Sequence, residues 1–194
     1  MKLKITKNKK VVNAFTLVEL IVVVMIVGIL SAIAVPIFQD ANKKARQRGV
    51  TVQIGVYMRA AEAYYTEFGS EVKNAGDLGN FVSVIECRYH LLKICKGTED
   101  EHRNMVIEAP YARNWNSSSG FYGIRMENSN ETSFKMRALP FKQDIQSGIP
   151  LKANPAYYSD QDYGVSACFN YNSGVKKIIQ WNKKGYLNVK TIDC

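Results

Sequence analysis

The chain has 194 residues, a formal net charge of +9, 46% hydrophobic residues and 22% charged ones. That length suits one membrane or targeting segment plus one globular domain of modest size. Lys2, Lys4, Lys7, Lys9 and Lys10 carry more than half of the net charge at the very start of the chain. The remainder is only mildly basic, and its charge alone argues against a dedicated nucleic-acid-binding domain.

From Phe15 to Phe38 the chain reads FTLVELIVVVMIVGILSAIAVPIF, in which only Thr16, Glu19 and Ser31 are polar. This run is long enough to span a bilayer as a helix. The lysines precede it, while Lys43 and Lys44 follow it and are fewer. The positive-inside bias therefore predicts a cytoplasmic N-terminus with the bulk of the chain on the other side. An ordinary cleaved secretory signal, cut after Ala32-Ile33-Ala34, is the competing reading. It does not account for an acid inside the apolar run.

A carboxylate inside a span costs on the order of 2 to 3 kcal/mol even on lenient insertion scales, so Glu19 needs a partner. One is the partial positive charge of the helix N-terminus, with the side chain held at the membrane interface. Another arises if the chain is cut between Ala14 and Phe15. The new α-amine of Phe15 then lies about one helical turn before Glu19, and a neighbouring subunit's amine can neutralise the carboxylate.

The stretch KKVVNA followed by FTLVELIVVVMIVGILSAIAVPIFQ resembles the type IV pilin and pseudopilin family. That family has a short basic leader, a small residue at the cut, then a phenylalanine-led apolar helix with a glutamate fifth. The resemblance implies that a prepilin peptidase on the cytoplasmic side removes the leader after Ala14 and N-methylates Phe15, and that Phe15 and Glu19 serve assembly. Ala14 stands where the family usually has glycine. Further implied are a single-pass precursor in the inner membrane in contact with its lipids and assembly machinery. A homo- or hetero-polymer with other pilins follows, as a cell-surface or periplasmic filament.

After Pro36 a helical period resumes, with apolar residues at Val50, Ile54, Tyr57, Ala61, Tyr64 and Phe68. Gly69 can supply a C-cap. A helix is predicted from about Phe15 to Phe68, on the order of 80 Å long at 1.5 Å per residue. Gly28 and Pro36 are candidate helix breaks, since proline removes a backbone hydrogen bond and clashes with the preceding turn. By resemblance to pilins, this stretch is where the helix would kink or unwind in a fibre. A proline tolerated in a membrane helix is the plainer alternative.

Beyond Gly69 the helical period fades. Segments of β type follow at Phe121 to Met126, Ser133 to Leu139, Val165 to Tyr171, Val175 to Trp181 and Tyr186 to Thr191. Asn172-Ser173-Gly174 and Asn182-Lys183-Lys184-Gly185 read as hairpin turns. The predicted fold is α+β and pilin-like, a long N-terminal helix packed on an antiparallel sheet of about four strands. Its parts are a leader (1–14), a polymerisation helix (15–38), an amphipathic helix (39–69) and a head (70–194). The pattern does not resolve residues 70–115.

Cys87, Cys95, Cys168 and Cys194 make an even count, which favours disulfides on the oxidising side of a membrane. Three pairings are formally open. The favoured set joins Cys87 to Cys95, local in sequence, and Cys168 to Cys194, the last residue. The second resembles the disulfide-bounded C-terminal region of many pilins. Cys87, His90, Cys95 and His102 could also be read as metal ligands, but their spacing fits no recognised zinc motif.

Phosphate loops, H-E-x-x-H pairs and nucleophile elbows are missing, so neither an enzyme nor a cofactor is indicated. Asp160 and Asp162 are a weak calcium candidate. Lys176, Lys177, Lys183 and Lys184 around Trp181 and Tyr186 form a basic and aromatic mix that could touch DNA, although a solvated strand explains it more cheaply. A pseudopilin of a type II secretion system and a membrane-anchored binding domain are the remaining alternatives to a fibre subunit.

Overall fold

The computed structural model describes residues 15–87, 95, 102–127, 132–141, 163–182, 192 and 194. The chain divides into two compact units, Met1–Asn42 and Lys43–Cys194. A single helix, α1 (Leu17–Phe68), contributes to both.

In the first unit every residue from 15 to 39 is exposed. Valine, isoleucine and leucine cover all sides of the helix there, and no part of its most apolar window is buried. This segment is long and apolar enough to cross a membrane. The helix is continuous through Gly28 and Pro36. The kink or unwinding expected at these residues concerns a fibre, which a single chain does not test. Nothing among the described residues lies within 4 Å of the position a Gly28 Cβ would take.

In the second unit α1 turns amphipathic and buries Gln47, Val50, Ile54, Tyr57, Met58, Ala60 and Ala61. The anticipated stripe holds as far as Ala61. Tyr64 is only partly buried and Phe68 is 55% exposed, because the sheet no longer covers the last turns. Gly69 ends the helix at φ +63°, its N–H donating to the Tyr65 carbonyl at 2.9 Å. A residue with a Cβ adopts that left-handed conformation only at a cost.

The region that the sequence pattern left unplaced forms short elements. Helix α2 (Ala75–Gly79) starts on a capping box in which Asn74 and Asp77 bond each other's backbone N–H groups. Strands β1 (Ile85–Cys87) and β2 (His102–Asn104) pair antiparallel, and Asn104 caps the single turn α3 (Met105–Glu108).

Among the described residues the main sheet has five antiparallel strands in sequence order: β3 (Asn114–Asn116), β4 (Tyr122–Met126), β5 (Ser133–Pro140), β6 (Val165–Asn170) and β7 (Lys176–Gln180). Strand β3 is the addition to the predicted set, too short to show an alternating pattern by itself. The expected strand at Tyr186 to Thr191 and the turn beginning at Asn182 lie largely outside the described residues. The register places Trp115, Ile124, Ala138 and Val165 in one row and Met126, Met136 and Ala167 in another, all buried. Alternation then sends Arg125, Arg137 and Ser166 to the opposite face. Between β6 and β7, Asn170 Oδ1 accepts from the N–H groups of Asn172 and Ser173, and Gly174 sits at φ +70°.

Candidate assembly segment and the head that follows it

The described chain begins at Phe15, which is 82% exposed. Thr16 precedes the first helical residue and Glu19 is the third. Their side chains form a reciprocal cap: Thr16 Oγ1 accepts from the Glu19 N–H at 3.2 Å, and Glu19 Oε2 accepts from the Thr16 N–H at 2.9 Å and its hydroxyl at 2.7 Å. This is the T-x-x-E capping box, which satisfies helix donors that would otherwise be orphaned. In the isolated chain the carboxylate thus has a partner within its own helix. The motif is visible as Thr16-Leu17-Val18-Glu19, but the acid's place in an apolar run draws a reading of the sequence towards an external partner. Ala14 lies outside the described residues.

At the start of the second unit a polar and aromatic collar fixes α1 to the sheet. The buried Gln47 donates from Nε2 to the carbonyls of Gly164 and Trp181, both at 2.9 Å. The Arg46 guanidinium lies 3.7 Å from the Phe121 ring centroid, and the Lys43 ammonium 5.8 Å from that of Tyr163. Burial lowers the pKa of Arg46 and, more strongly, raises that of the adjacent Tyr122. The Tyr122 hydroxyl donates to the Tyr163 carbonyl at 2.9 Å, and Tyr163 takes φ 62°, unusual for a residue with a Cβ. Sequence reasoning missed Gln47, because a search for apolar periodicity passes over a polar residue in a core stripe.

Strand β7 docks on α1 through alternate residues. Lys176 pairs with Glu62, Gln180 Nε2 donates to Thr51 Oγ1 at 2.8 Å, and Ile178 faces Gly55. Lys177 therefore points away from α1, and Trp181 is buried beside Gly164. The basic and aromatic mix proposed for DNA contact is not assembled among the described residues: Lys176 is engaged, Trp181 is enclosed, and Lys183, Lys184 and Tyr186 lie outside them.

Disulfides join Cys87 to Cys95 and Cys168 to Cys194, with Cα separations of 5.9 and 6.0 Å. Cys87 and Cys168 are fully buried. The first bond takes up both thiols of the alternative metal set, and His102 Nε2 lies 3.0 Å from the Ser118 carbonyl. His90, Asp160 and Asp162 are outside the described residues.

An exposed apolar helix that starts on a capped glutamate continues into the core of a disulfide-bonded α+β head, and its first part is long and apolar enough to cross a membrane. Residues 9–35 match the prokaryotic N-terminal methylation motif. Fimbrial protein EcpB of Eikenella corrodens is 42% identical over 57 residues, covering 29% of this chain and 36% of that protein. EcpC of the same organism is 38% identical over 61 residues, covering 31% and 40%. A fimbrial protein of Pseudomonas aeruginosa is 38% identical over 63 residues, covering 32% and 40%. The chain thus spans less than half the length of the curated relatives it matches. No solved structure matches it. The N-terminal segment is thus similar to those of fimbrial proteins that carry this methylation motif.

Proposed function

We propose that the protein is a structural subunit of a type IV pilus-like filament, processed by prepilin peptidase between Ala14 and Phe15, N-methylated on Phe15 and assembled through its N-terminal helix. The observation that carries this reading is Glu19, an acid in the first turn of a helix whose residues up to Phe38 are otherwise apolar apart from Ser31. Such a surface is soluble in lipid or among identical helices and nowhere else. The new amine of Phe15 on one subunit supplies the charge that a buried Glu19 of the next requires. The precursor sits in the inner membrane, and its partners are the peptidase, the assembly machinery and other pilins. The leader (1–14), polymerisation helix (15–38), amphipathic helix (39–69) and head (70–194) are the parts assigned to these steps. Unwinding at Gly28 and Pro36 during incorporation into the fibre belongs to the same reading.

The intact mass and N-terminal peptide of the protein recovered from cells test it. An N-methylated Phe15 start is the expected result; a start at Val35 would make the segment an ordinary secretion signal. Glu19→Ala is expected to leave insertion and processing intact while incorporation into fibres falls at least tenfold, read by immunoblot of sheared filaments. Wild-type incorporation of that variant would show that the charge pairing is dispensable. The amount of protein in sheared surface fibres also separates a surface pilus from a secretion pseudopilus.

A further inference from the structure

Where α1 enters the second unit, two cations lie over aromatic rings, and among the described residues no acid pairs with either. The Arg46 guanidinium is 3.7 Å from the Phe121 ring centroid, and the Lys43 ammonium, one turn earlier on α1, is 5.8 Å from that of Tyr163. Neither makes an ion pair or a hydrogen bond within the described chain. Arg46 is half-buried, and burial holds its pKa below the ordinary guanidinium value. Its charge has thus lost part of its hydration without gaining a counter-charge. The acidic group among the described residues whose field reaches it is the Tyr122 phenol. Burial raises the pKa of that phenol, which is therefore neutral at physiological pH, and its hydroxyl already donates to the Tyr163 carbonyl. The next residue, Gln47, bonds the carbonyls of Gly164 and Trp181 and so fixes the turn of helix that carries Arg46. The guanidinium is held in position before any ligand arrives.

We propose that Lys43 and Arg46 form a binding site for the headgroup phosphodiester of an anionic phospholipid, in the leaflet on the side of the head. The site rests on the reading of residues 15–38 as membrane-embedded, and not on assembly into a fibre. The apolar run ends at Phe38, and Lys43 and Arg46 follow it by about 7 and 12 Å of helical rise. The headgroup layer beyond the hydrocarbon is on the order of 5 to 7 Å deep on each side. Side chains on a helix lean toward its N-terminus, and long cationic ones reach back to the interface, so both charges come within reach of the phosphates. A guanidinium stacked on a ring covers its face and keeps its N–H edge, which matches two phosphate oxygens, while the ammonium adds a point charge beside it. The two non-ester oxygens of a phosphodiester share one negative charge and can be divided between these two donors. A lipid that is anionic overall brings the counter-charge that Arg46 lacks, whereas the choline of a zwitterionic lipid offsets it.

Native mass spectrometry of the full chain released from nanodiscs of equal parts phosphatidylglycerol and phosphatidylcholine tests it. Wild type is expected to retain phosphatidylglycerol over phosphatidylcholine by about fivefold or more, the usual worth of one or two cationic residues near an anionic surface. Lys43→Gln with Arg46→Gln should bring the ratio close to one. Lys43→Gln alone, at an exposed side chain, should lower it part of the way and shows that the loss in the double variant is not misfolding. Lys44→Gln with Arg48→Gln removes the same charge from neighbouring exposed positions and should leave the ratio largely unchanged. Equal loss in the two double variants would reveal a diffuse charge effect and overturn the site. A wild-type ratio near one, in discs that the protein has entered, would overturn it while leaving the membrane reading in place. A chain that does not co-elute with the discs fails the membrane reading itself, and the site falls with it. Displacement of the lipid by millimolar inorganic phosphate would assign the site to the free anion and overturn the lipid.

Discussion

Gln47 and Gly164 show how much of the head rests on single residues. Gln47→Leu keeps the shape of the side chain but leaves the carbonyls of Gly164 and Trp181 without their donor. Unfolding in urea should register a loss of about 2 kcal/mol, the usual cost of stranding buried polar groups. At Gly164 a Cβ would overlap the Trp181 ring. Gly164→Ala is therefore expected to cost about 1 to 3 kcal/mol through overpacking, measured in the same titration. Both Thr16 groups bond Glu19 Oε2, so in the proposed assembly Oε1 is the oxygen that would accept from a neighbour's amine. Helix capping and pairing between subunits need not compete. The capping box could be read directly from T-L-V-E, whereas Gln47 could not, because no local pattern distinguishes a core glutamine from a surface one.

At the scale of elements, β5 and β6 were legible because Phe134, Met136 and Ala138, and Val165, Ala167 and Phe169, recur at period two, and β4 and β7 because glycine and asparagine turns bound them. The short elements between Ala75 and Asn116 were not. Their conformation is set by contacts across the fold, such as Cys87 N–H to the Ser117 carbonyl and Gly76 N–H to the Pro110 carbonyl, and their length is too small for a period to emerge. Strand alternation also separates two members of the lysine and tryptophan cluster. Lys176 and Lys177 are neighbours in sequence but occupy opposite faces of β7. The Cys168 to Cys194 bond closes a sequence separation of 26 residues onto β6. Replacing both cysteines by serine is expected to lower head stability by roughly 3 to 4 kcal/mol in the chain-entropy model, read by thermal or urea unfolding under non-reducing conditions.

For the molecule as a whole, buried phenols set an alkaline limit. Burial raises the pKa of Tyr57, and pushes that of Tyr171 up to about 12; Tyr122 is raised further still. Free tyrosine in the unfolded chain ionises near 10, so these groups favour the folded state fully below that pH. Their contribution falls as pH rises from about 10 through 12. Unfolding free energy should be flat from neutral pH to about 9.5 and then decline. Tyrosinate absorbance from Tyr57, Tyr122 and Tyr171 should develop only above the range of free tyrosine.

The sharing of α1 between the two units makes anchoring and folding one inheritance. Because Gln47, Val50, Ile54 and Tyr57 come from the same unbroken helix as the membrane-length segment, the head carries no complete core of its own downstream of that helix. A protease acting at the junction of Asn42 and Lys43 would shed an intact, soluble domain. One acting a few turns later, beyond Tyr57, would release a fragment stripped of the stripe its sheet needs, and quality control would clear it.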